Sequence, residues 1–219
     1  ASSDTYDKLN VQSARECYSL AREYARKAQV GYSPTTAEQW LNSETGFNTS
    51  VSSWMWDVEY TTKEQLTDIF CSFTGTINNE ADWSMGRGYS AVRMIGSALY
   101  SMIEEGDWRR WSFIDPNYAT TDAGYDRFTQ QEINGTKISL TTLTKSEWKA
   151  LPAYASTKFR YAAGGKTDYE VGCLVDIPLM RMEEMKFIEI ETTAYLDGLA
   201  AGTNMLRDFI NTYRYTDGS

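Results

Sequence analysis

The chain has 219 residues, 42% of them hydrophobic and 14% aromatic, so it can bury one substantial core without disulfides or metal. Its formal net charge of −9 repels a phosphate backbone and argues against a nucleic-acid partner. It contains no histidine, which excludes Ser-His-Asp and Cys-His catalysis and removes the commonest transition-metal ligand.

The first predicted element is an amphipathic helix over residues 10–28. Apolar and small residues recur there at helical spacing, and charged residues fill the opposite face. The predicted buried stripe consists of Ala14, Cys17, Tyr18, Ala21, Ala25 and Ala28. Small alanines on such a stripe let a neighbouring helix approach closely. A strand is predicted next, over residues 51–60, because Trp54, Trp56 and Val58 alternate and would share one inward face.

The middle of the chain shows weaker patterns. A second helix is predicted across residues 89–104, where Leu99 and Met102 fall on one apolar stripe, and it should close at Gly106. From residue 108 to about residue 163 the periodicity is poor, and the clearest signal is the turn dipeptide Asn134-Gly135. This stretch is predicted to form long loops with short strands, and loops of that length are often functional.

Clear helical order returns at the C-terminal end. One apolar stripe runs from Met182 to Leu199, and a second, shorter helix carries Leu206 to Tyr213. The connection between them, residues 198–202, reads Gly-Leu-Ala-Ala-Gly. The pattern predicts an antiparallel helical hairpin, and the fold class is therefore mainly α with short β-strands and long loops.

Residues 176–191 read DIPLMRMEEMKFIEIE, which resembles the SusD-like (RagB/SusD) family signature D-x-P-L-x-R-x-A-E-x-Y-L-I-x-A-E-A. Arg181, Glu184 and Glu191 fall on its charged positions. The departures from the signature are Glu183, Ile190 and Thr192 in place of alanine and Lys186 in place of tyrosine. Residues 53–59, 106–110 and 158–160 agree with further family elements in order and rough spacing. Within this resemblance only the signature is specific.

The resemblance implies a lipoprotein on the extracellular face of the outer membrane of Bacteroidetes. Such a protein captures glycan and delivers it to a SusC-like TonB-dependent transporter, without enzymatic activity, cofactor or metal. The resemblance also implies tetratricopeptide-like helical hairpins. Across residues 1–219 it gives one SusD-like region, with a helix at 10–28, a loop-rich ligand-binding excursion at 29–175 and the helical hairpin at 176–215. The lipid anchor would lie outside this segment of a longer protein.

The candidate ligand contacts are aromatic and amide side chains. Sugar rings need flat apolar platforms together with hydrogen-bonding groups, and Trp and Tyr supply both. The chain has 7 Trp and 15 Tyr. Trp83, Tyr89 and Asn79 are candidates because they lie in or beside a polar, glycine-containing stretch, and Trp40 is added as a fourth. Packing is the alternative role for each tryptophan and tyrosine of this set.

Other tryptophans are expected to be structural. Trp54 and Trp56 should belong to the core, and Trp108 and Trp111 should pack or form cation–π contacts beside Arg109-Arg110. The three cysteines, Cys17, Cys71 and Cys173, show neither metal-ligand nor disulfide-framework spacing. We expect them to be buried or half-buried free thiols.

Two other functions remain open from the sequence: a carboxylate-based glycoside hydrolase and a helical scaffold for protein partners. Glu184 and Glu191 share a helix face, but two helical turns separate them by about 10 Å. Carboxylates in glycosidases lie roughly 5–9.5 Å apart. We therefore expect these two to pair with arginines such as Arg181 or Arg207 and to fix helix packing.

Overall fold

The computed structural model describes residues 13–43, 49–65, 94–133, 135–141, 143–157 and 174–215. The helices are α1 (Ala14–Ala28), α2 (Ala37–Leu41), α3 (Ser97–Ser101), α4 (Asp122–Thr129), α5 (Lys145–Lys149), α6 (Met182–Asp197) and α7 (Leu199–Tyr213). The strands are β1 (Trp54–Val58), β2 (Gln131–Ile133), β3 (Thr136–Ile138) and β4 (Ile177–Arg181), and 3-10 turns span Lys63–Gln65 and Trp108–Ser112. The predicted mainly helical fold with short strands is confirmed at this level.

Helix α1 begins at a capping box. The Ser13 hydroxyl accepts from the Glu16 amide, and the Glu16 side chain accepts from the Ser13 amide, so orphan donors at the helix start are satisfied. Ala25 is buried. Cys17, by contrast, is exposed, so the expectation of a buried thiol is wrong for it. Cys17 lies near the start of α1, where Ala14 is exposed as well, and Cys71 and Cys173 lie outside the described residues.

Helices α6 and α7 form the predicted antiparallel hairpin, with a shorter connection than expected. Gly198 alone joins them, at φ 103° and ψ 153°, a conformation that favours glycine. Gly202 lies inside α7, where an added Cβ would meet the Ala194 Cβ at 2.5 Å. Phe187 and Phe209 meet further along the hairpin, with ring centroids 5.5 Å apart. The glycine-rich sequence thus permits close helix contact as well as the turn.

Strands β1 and β4 pair antiparallel in front of this hairpin. Trp54 pairs with Arg181 and Trp56 with Met180, and the register shifts on both sides of Trp56. Trp54 is consequently only 6% exposed, whereas Trp56 is 62% exposed. The expectation that both tryptophans face the core is wrong for Trp56, because an irregularity in the ladder breaks the alternation of side chains.

The middle stretch is more ordered than the sequence suggested. Helices α4 and α5 and the β2–β3 hairpin fold there, and Gly135 adopts φ 79° in the predicted turn of that hairpin. The buried cluster that forms the main core includes Phe128, Leu140, Trp148 and Ile114. The predicted short strands are present as β2 and β3, and the helices before and after them are too short to show a period in the sequence.

The helix predicted over residues 89–104 is described only from residue 94, and there it spans Ser97–Ser101. Leu99 and Met102, assigned to its buried stripe, are 57% and 77% exposed. Tyr100, which the stripe omitted, is buried instead. Tyr100 packs against Phe113 and Tyr154, and its hydroxyl donates to Asp115.

Candidate functional site

A cavity of about 350 Å³ lies between α3, the 3-10 turn Trp108–Ser112 and α4. The aromatic side chains lining it are Tyr100, Trp111, Phe113 and Tyr118. The charged side chains lining it are Glu105, Arg110, Asp115 and Arg127, and Asn117 adds an amide. The lining is therefore mostly polar, with aromatic rings between the charged groups, which suits a polar ligand.

Tyr100, Arg110 and Asp115 form a hydrogen-bonded group at one wall. The Tyr100 hydroxyl donates to Asp115 Oδ2 at 3.0 Å, and Arg110 Nη2 lies 3.6 Å from the same oxygen. The Arg110 guanidinium also stacks over the Tyr100 ring, 4.4 Å from its centroid. Burial, aided by the hydrogen bond to Asp115, raises the pKa of Tyr100 to about 12. Tyr100 therefore stays protonated at neutral pH and serves as a fixed donor.

Arg127 occupies the opposite wall. Its guanidinium carbon lies 4.3 Å from the Trp111 ring centroid and 4.4 Å from that of Tyr118, so it contacts both rings. Such cation–π contacts stabilise a charge that is partly removed from water. Within the described residues, no carboxylate lies within 4 Å of this guanidinium.

Backbone contacts fix the walls. Ile114 forms two backbone hydrogen bonds with residues 154–155: its amide donates to Ala155 O at 2.9 Å, and its carbonyl accepts from the Tyr154 amide at 2.7 Å. Asp115 Oδ1 accepts from the Asn117 amide at 2.9 Å, which closes an Asx turn. The loop then continues to Tyr118, shortly before α4 begins at Asp122.

Gly124 allows α4 to lie close to this loop. An added Cβ at that position would lie 2.1 Å from the Tyr118 carbonyl oxygen, so a side chain there is excluded. The Thr121 hydroxyl accepts from the Gly124 amide at 3.0 Å and caps α4. These contacts place Arg127, one turn further along α4, beside Tyr118.

A second charged cluster consists of residues that do not line the cavity and that lie at the start of α6 and just after α7. Glu183 is 1% exposed, and its Oε1 accepts from the Thr35 amide at 2.8 Å. Arg181 Nη1 and Arg214 Nη2 lie 3.7 and 3.8 Å from the same oxygen. Burial lowers the pKa of Arg214 to about 10, and the nearby Glu183 carboxylate partly offsets that effect. The cluster joins three chain segments and stabilises their packing.

The acidic residues singled out from the sequence are not the buried ones. Glu184 and Glu191 are both exposed, whereas Glu183 and Glu189 are buried. The expected pairing is also different, because Arg181 contacts Glu183 and Arg207 bonds Asn204. The signature marks the correct helix, but a one-residue or two-residue shift decides which carboxylate faces inward.

The structure does not test the predicted ligand contacts. Trp83, Tyr89 and Asn79 lie outside the described residues and stay predictions. Trp40 is half-buried against the core: its Nε1 donates to Ser112 Oγ at 2.6 Å, and its ring meets the edge of Trp108 at 5.2 Å. Trp40 is not among the residues that line the cavity.

None of the residues that line the cavity was predicted from the sequence to contact a ligand. Trp108 is buried as expected, under the guanidinium of Arg214 at 5.3 Å, but Trp111 meets Arg127 and not its sequence neighbours. The density of aromatic residues between positions 100 and 118 was the available signal. That signal does not identify Arg127 of α4 as the residue that contacts Trp111 and Tyr118.

No helix of the described residues has the length and apolar character needed to cross a lipid bilayer. In the same residues, no group of carboxylates and cysteines is arranged to hold a metal ion.

Comparison with known proteins identifies the fold. No family model and no curated protein matches the chain. A solved structure does match: a SusD-like carbohydrate-binding protein from Bacteroides vulgatus ATCC 8482, at 21% identity and a TM-score of 0.53. The match covers 92% of this chain. The chain has part of the SusD-like fold.

The structural match agrees with the resemblance of residues 176–191 to the SusD-like signature. The chain spans 34% of the length of the matched SusD-like structure, so it corresponds to a segment of that protein. Because one fold can carry different sites, the match shows the architecture alone.

Proposed function

We propose that this chain is part of a non-catalytic glycan-binding protein and that the cavity between α3 and α4 holds the glycan. The observation that carries the proposal is the cavity itself: aromatic walls and converging hydrogen-bonding groups in a chain with part of the SusD-like fold. Asn117 and Arg127 supply hydrogen-bonding groups that suit ring hydroxyls. The matched protein is described as carbohydrate-binding.

We further propose the cellular setting that the SusD-like resemblance implies. The whole protein would be anchored by lipid at the extracellular face of the outer membrane. It would deliver oligo- or polysaccharide to a SusC-like TonB-dependent transporter, with helices such as α6 and α7 forming tetratricopeptide-like hairpins. Deletion of the gene for that transporter should then abolish growth on the captured glycan while leaving binding to the purified protein unchanged.

A glycoside hydrolase is less well supported by the geometry. The oxygens of Asp115 accept from the Tyr100 hydroxyl and the Asn117 amide and contact Arg110, so this carboxylate is committed to internal contacts. Glu105 is the other cavity carboxylate, and it is exposed. Release of reducing ends during prolonged incubation with a bound polysaccharide would favour the hydrolase.

The binding proposal is tested by affinity electrophoresis in gels that contain neutral or acidic polysaccharides. We expect Trp111→Ala to lose about tenfold or more in affinity, because Trp111 is a wall of the cavity and positions Arg127. Tyr118→Ala should behave similarly. Trp56→Ala is the matched control, since Trp56 is exposed outside the cavity.

Thermal melts of each variant separate binding from folding, because Trp111 also contacts Phe128 in the core at 5.7 Å. Absence of retardation by every polysaccharide would contradict the proposal. Equal losses in Trp111→Ala and Trp56→Ala, with both variants folded, would also contradict it.

A further inference from the structure

We infer that the ligand of this cavity is an anionic glycan, bearing a uronate carboxylate or a sulfate ester, and that Arg127 binds the anionic group. The inference rests on the proposed function and adds the chemical class of the ligand. It follows from how the structure holds the two cavity arginines, Arg110 and Arg127.

Cation–π contacts hold the Arg127 guanidinium at the cavity without using its hydrogen-bond donors. Its central carbon lies 4.3 Å from the ring centroid of Trp111 and 4.4 Å from that of Tyr118, and the N–H groups of a guanidinium point outward in its plane. In the described part of the chain, the guanidinium has neither a hydrogen-bond acceptor nor an ion pair. Arg127 is half-buried at the cavity, so a ligand can reach those donors.

Arg110 shows the contrasting arrangement in the same cavity. Its Nη1 donates to Ile103 O at 2.6 Å, and its Nη2 faces Asp115 at 3.6 Å. The charge and donors of Arg110 are therefore largely used within the protein. Arg127 is the cavity cation whose charge no neighbouring carboxylate balances within salt-bridge distance among the described residues.

The planar fork of an arginine matches the two oxygens of a carboxylate or sulfate group, and such charge-assisted bonds are roughly twice as strong as neutral ones. A neutral sugar hydroxyl would use only one donor and leave the charge unbalanced. The opposing group is Glu105, but it is exposed and therefore better screened by solvent than Arg127. The net charge of −9 also repels polyanions, so recognition must be local.

The test uses matched polymer pairs in affinity gels: polygalacturonate, glucuronoxylan and alginate beside their carboxyl-reduced forms, and a sulfated galactan beside its desulfated form. We expect the charged polymer to retard the protein, and we expect the affinity for its neutral counterpart to be lower by about tenfold or more. The uronate and sulfate arms show which anionic group is recognised.

Arg127→Gln should lose about tenfold in affinity for the charged polymer and change affinity for the neutral one by less than about threefold. Arg127→Lys should recover part of the loss, because it keeps the charge without the planar fork. Glu105→Gln should shift affinity the other way and strengthen binding to the charged polymer. Arg207→Gln, at an exposed arginine of α7, should change nothing.

The outcomes separate this inference from the proposed function. Equal binding of charged and neutral polymers, or equal losses for both in Arg127→Gln, would overturn the anionic ligand and leave glycan binding intact. Failure of every polymer to retard the protein would overturn both.

Discussion

At the scale of single residues, Glu183 shows how a departure from a family pattern acquires a structural role. It stands where the SusD-like signature has alanine, and a buried carboxylate at that point requires partners. Thr35 supplies an amide, and Arg181 and Arg214 supply positive charge. Arg214 is itself 3% exposed, so each of the two buried charges depends on the other.

We predict that Glu183→Gln lowers the free energy of unfolding by about 2 to 3 kcal/mol, because it leaves the buried Arg214 charge unbalanced. Glu184→Gln is the matched control: it changes the adjacent, exposed carboxylate and should alter stability by less than about 0.5 kcal/mol. Urea unfolding followed by tryptophan fluorescence measures both. Equal midpoints for the two variants would show that the buried cluster contributes nothing.

At the scale of elements, the α6–α7 hairpin depends on how closely two helix backbones approach. Gly202 faces Ala194, and a Cβ on Gly202 would lie 2.5 Å from the Ala194 Cβ and 2.9 Å from its Cα. These neighbours are too near to the backbone to move aside without separating the helices. The hairpin is thus held together by small residues at its crossing.

We predict that Gly202→Ala destabilises the protein by about 2 kcal/mol, although alanine has the higher helix propensity by about 1 kcal/mol. The neighbouring exposed change Thr203→Ala should be neutral or slightly stabilising. Ala194→Gly in the Gly202→Ala background should restore part of the loss, since it removes the opposing methyl group. Thermal or urea unfolding measures all three, and a stabilising Gly202→Ala would contradict the close approach.

At the scale of the whole molecule, Glu189 joins the first helix to the C-terminal hairpin. Its oxygens accept from Arg26 at 2.8 Å, Lys186 at 2.9 Å and Gln29 at 3.1 Å. Burial alone would raise the pKa of Glu189, but these hydrogen bonds outweigh burial and lower the pKa below its ordinary value of 4.5. The contact therefore holds together segments more than a hundred residues apart.

A lowered pKa makes this contribution to stability depend on pH. It is present above the unfolded-state value near 4.5 and is lost as the pH falls through the lower folded-state value. We predict that the stability difference between the wild type and Glu189→Gln narrows from pH 6 to pH 3 in thermal melts. Glu23→Gln, which removes an exposed carboxylate of α1, should give a small difference throughout. A constant Glu189→Gln difference would contradict this contribution.

The elements that can be predicted from the sequence are those whose signal is local. The amphipathic periods of α1 and α7 extend over 15 residues each, which is long enough to be recognised without tertiary contacts. The turn at Gly135 follows from a dipeptide, and the resemblance of residues 176–191 to the SusD-like signature pointed to the fold. Each of these depends on residues that are neighbours along the chain.

The contacts between side chains from distant segments follow from the tertiary structure and could not be predicted from the sequence. Trp54 and Trp56 look equivalent in sequence, and the irregular pairing with β4 buries one and exposes the other. Arg127 is 16 residues from Trp111, and only the packing of α4 brings it between Trp111 and Tyr118. Local patterns report which face of an element is apolar, but a ligand site depends on contacts between distant segments, which follow no local period.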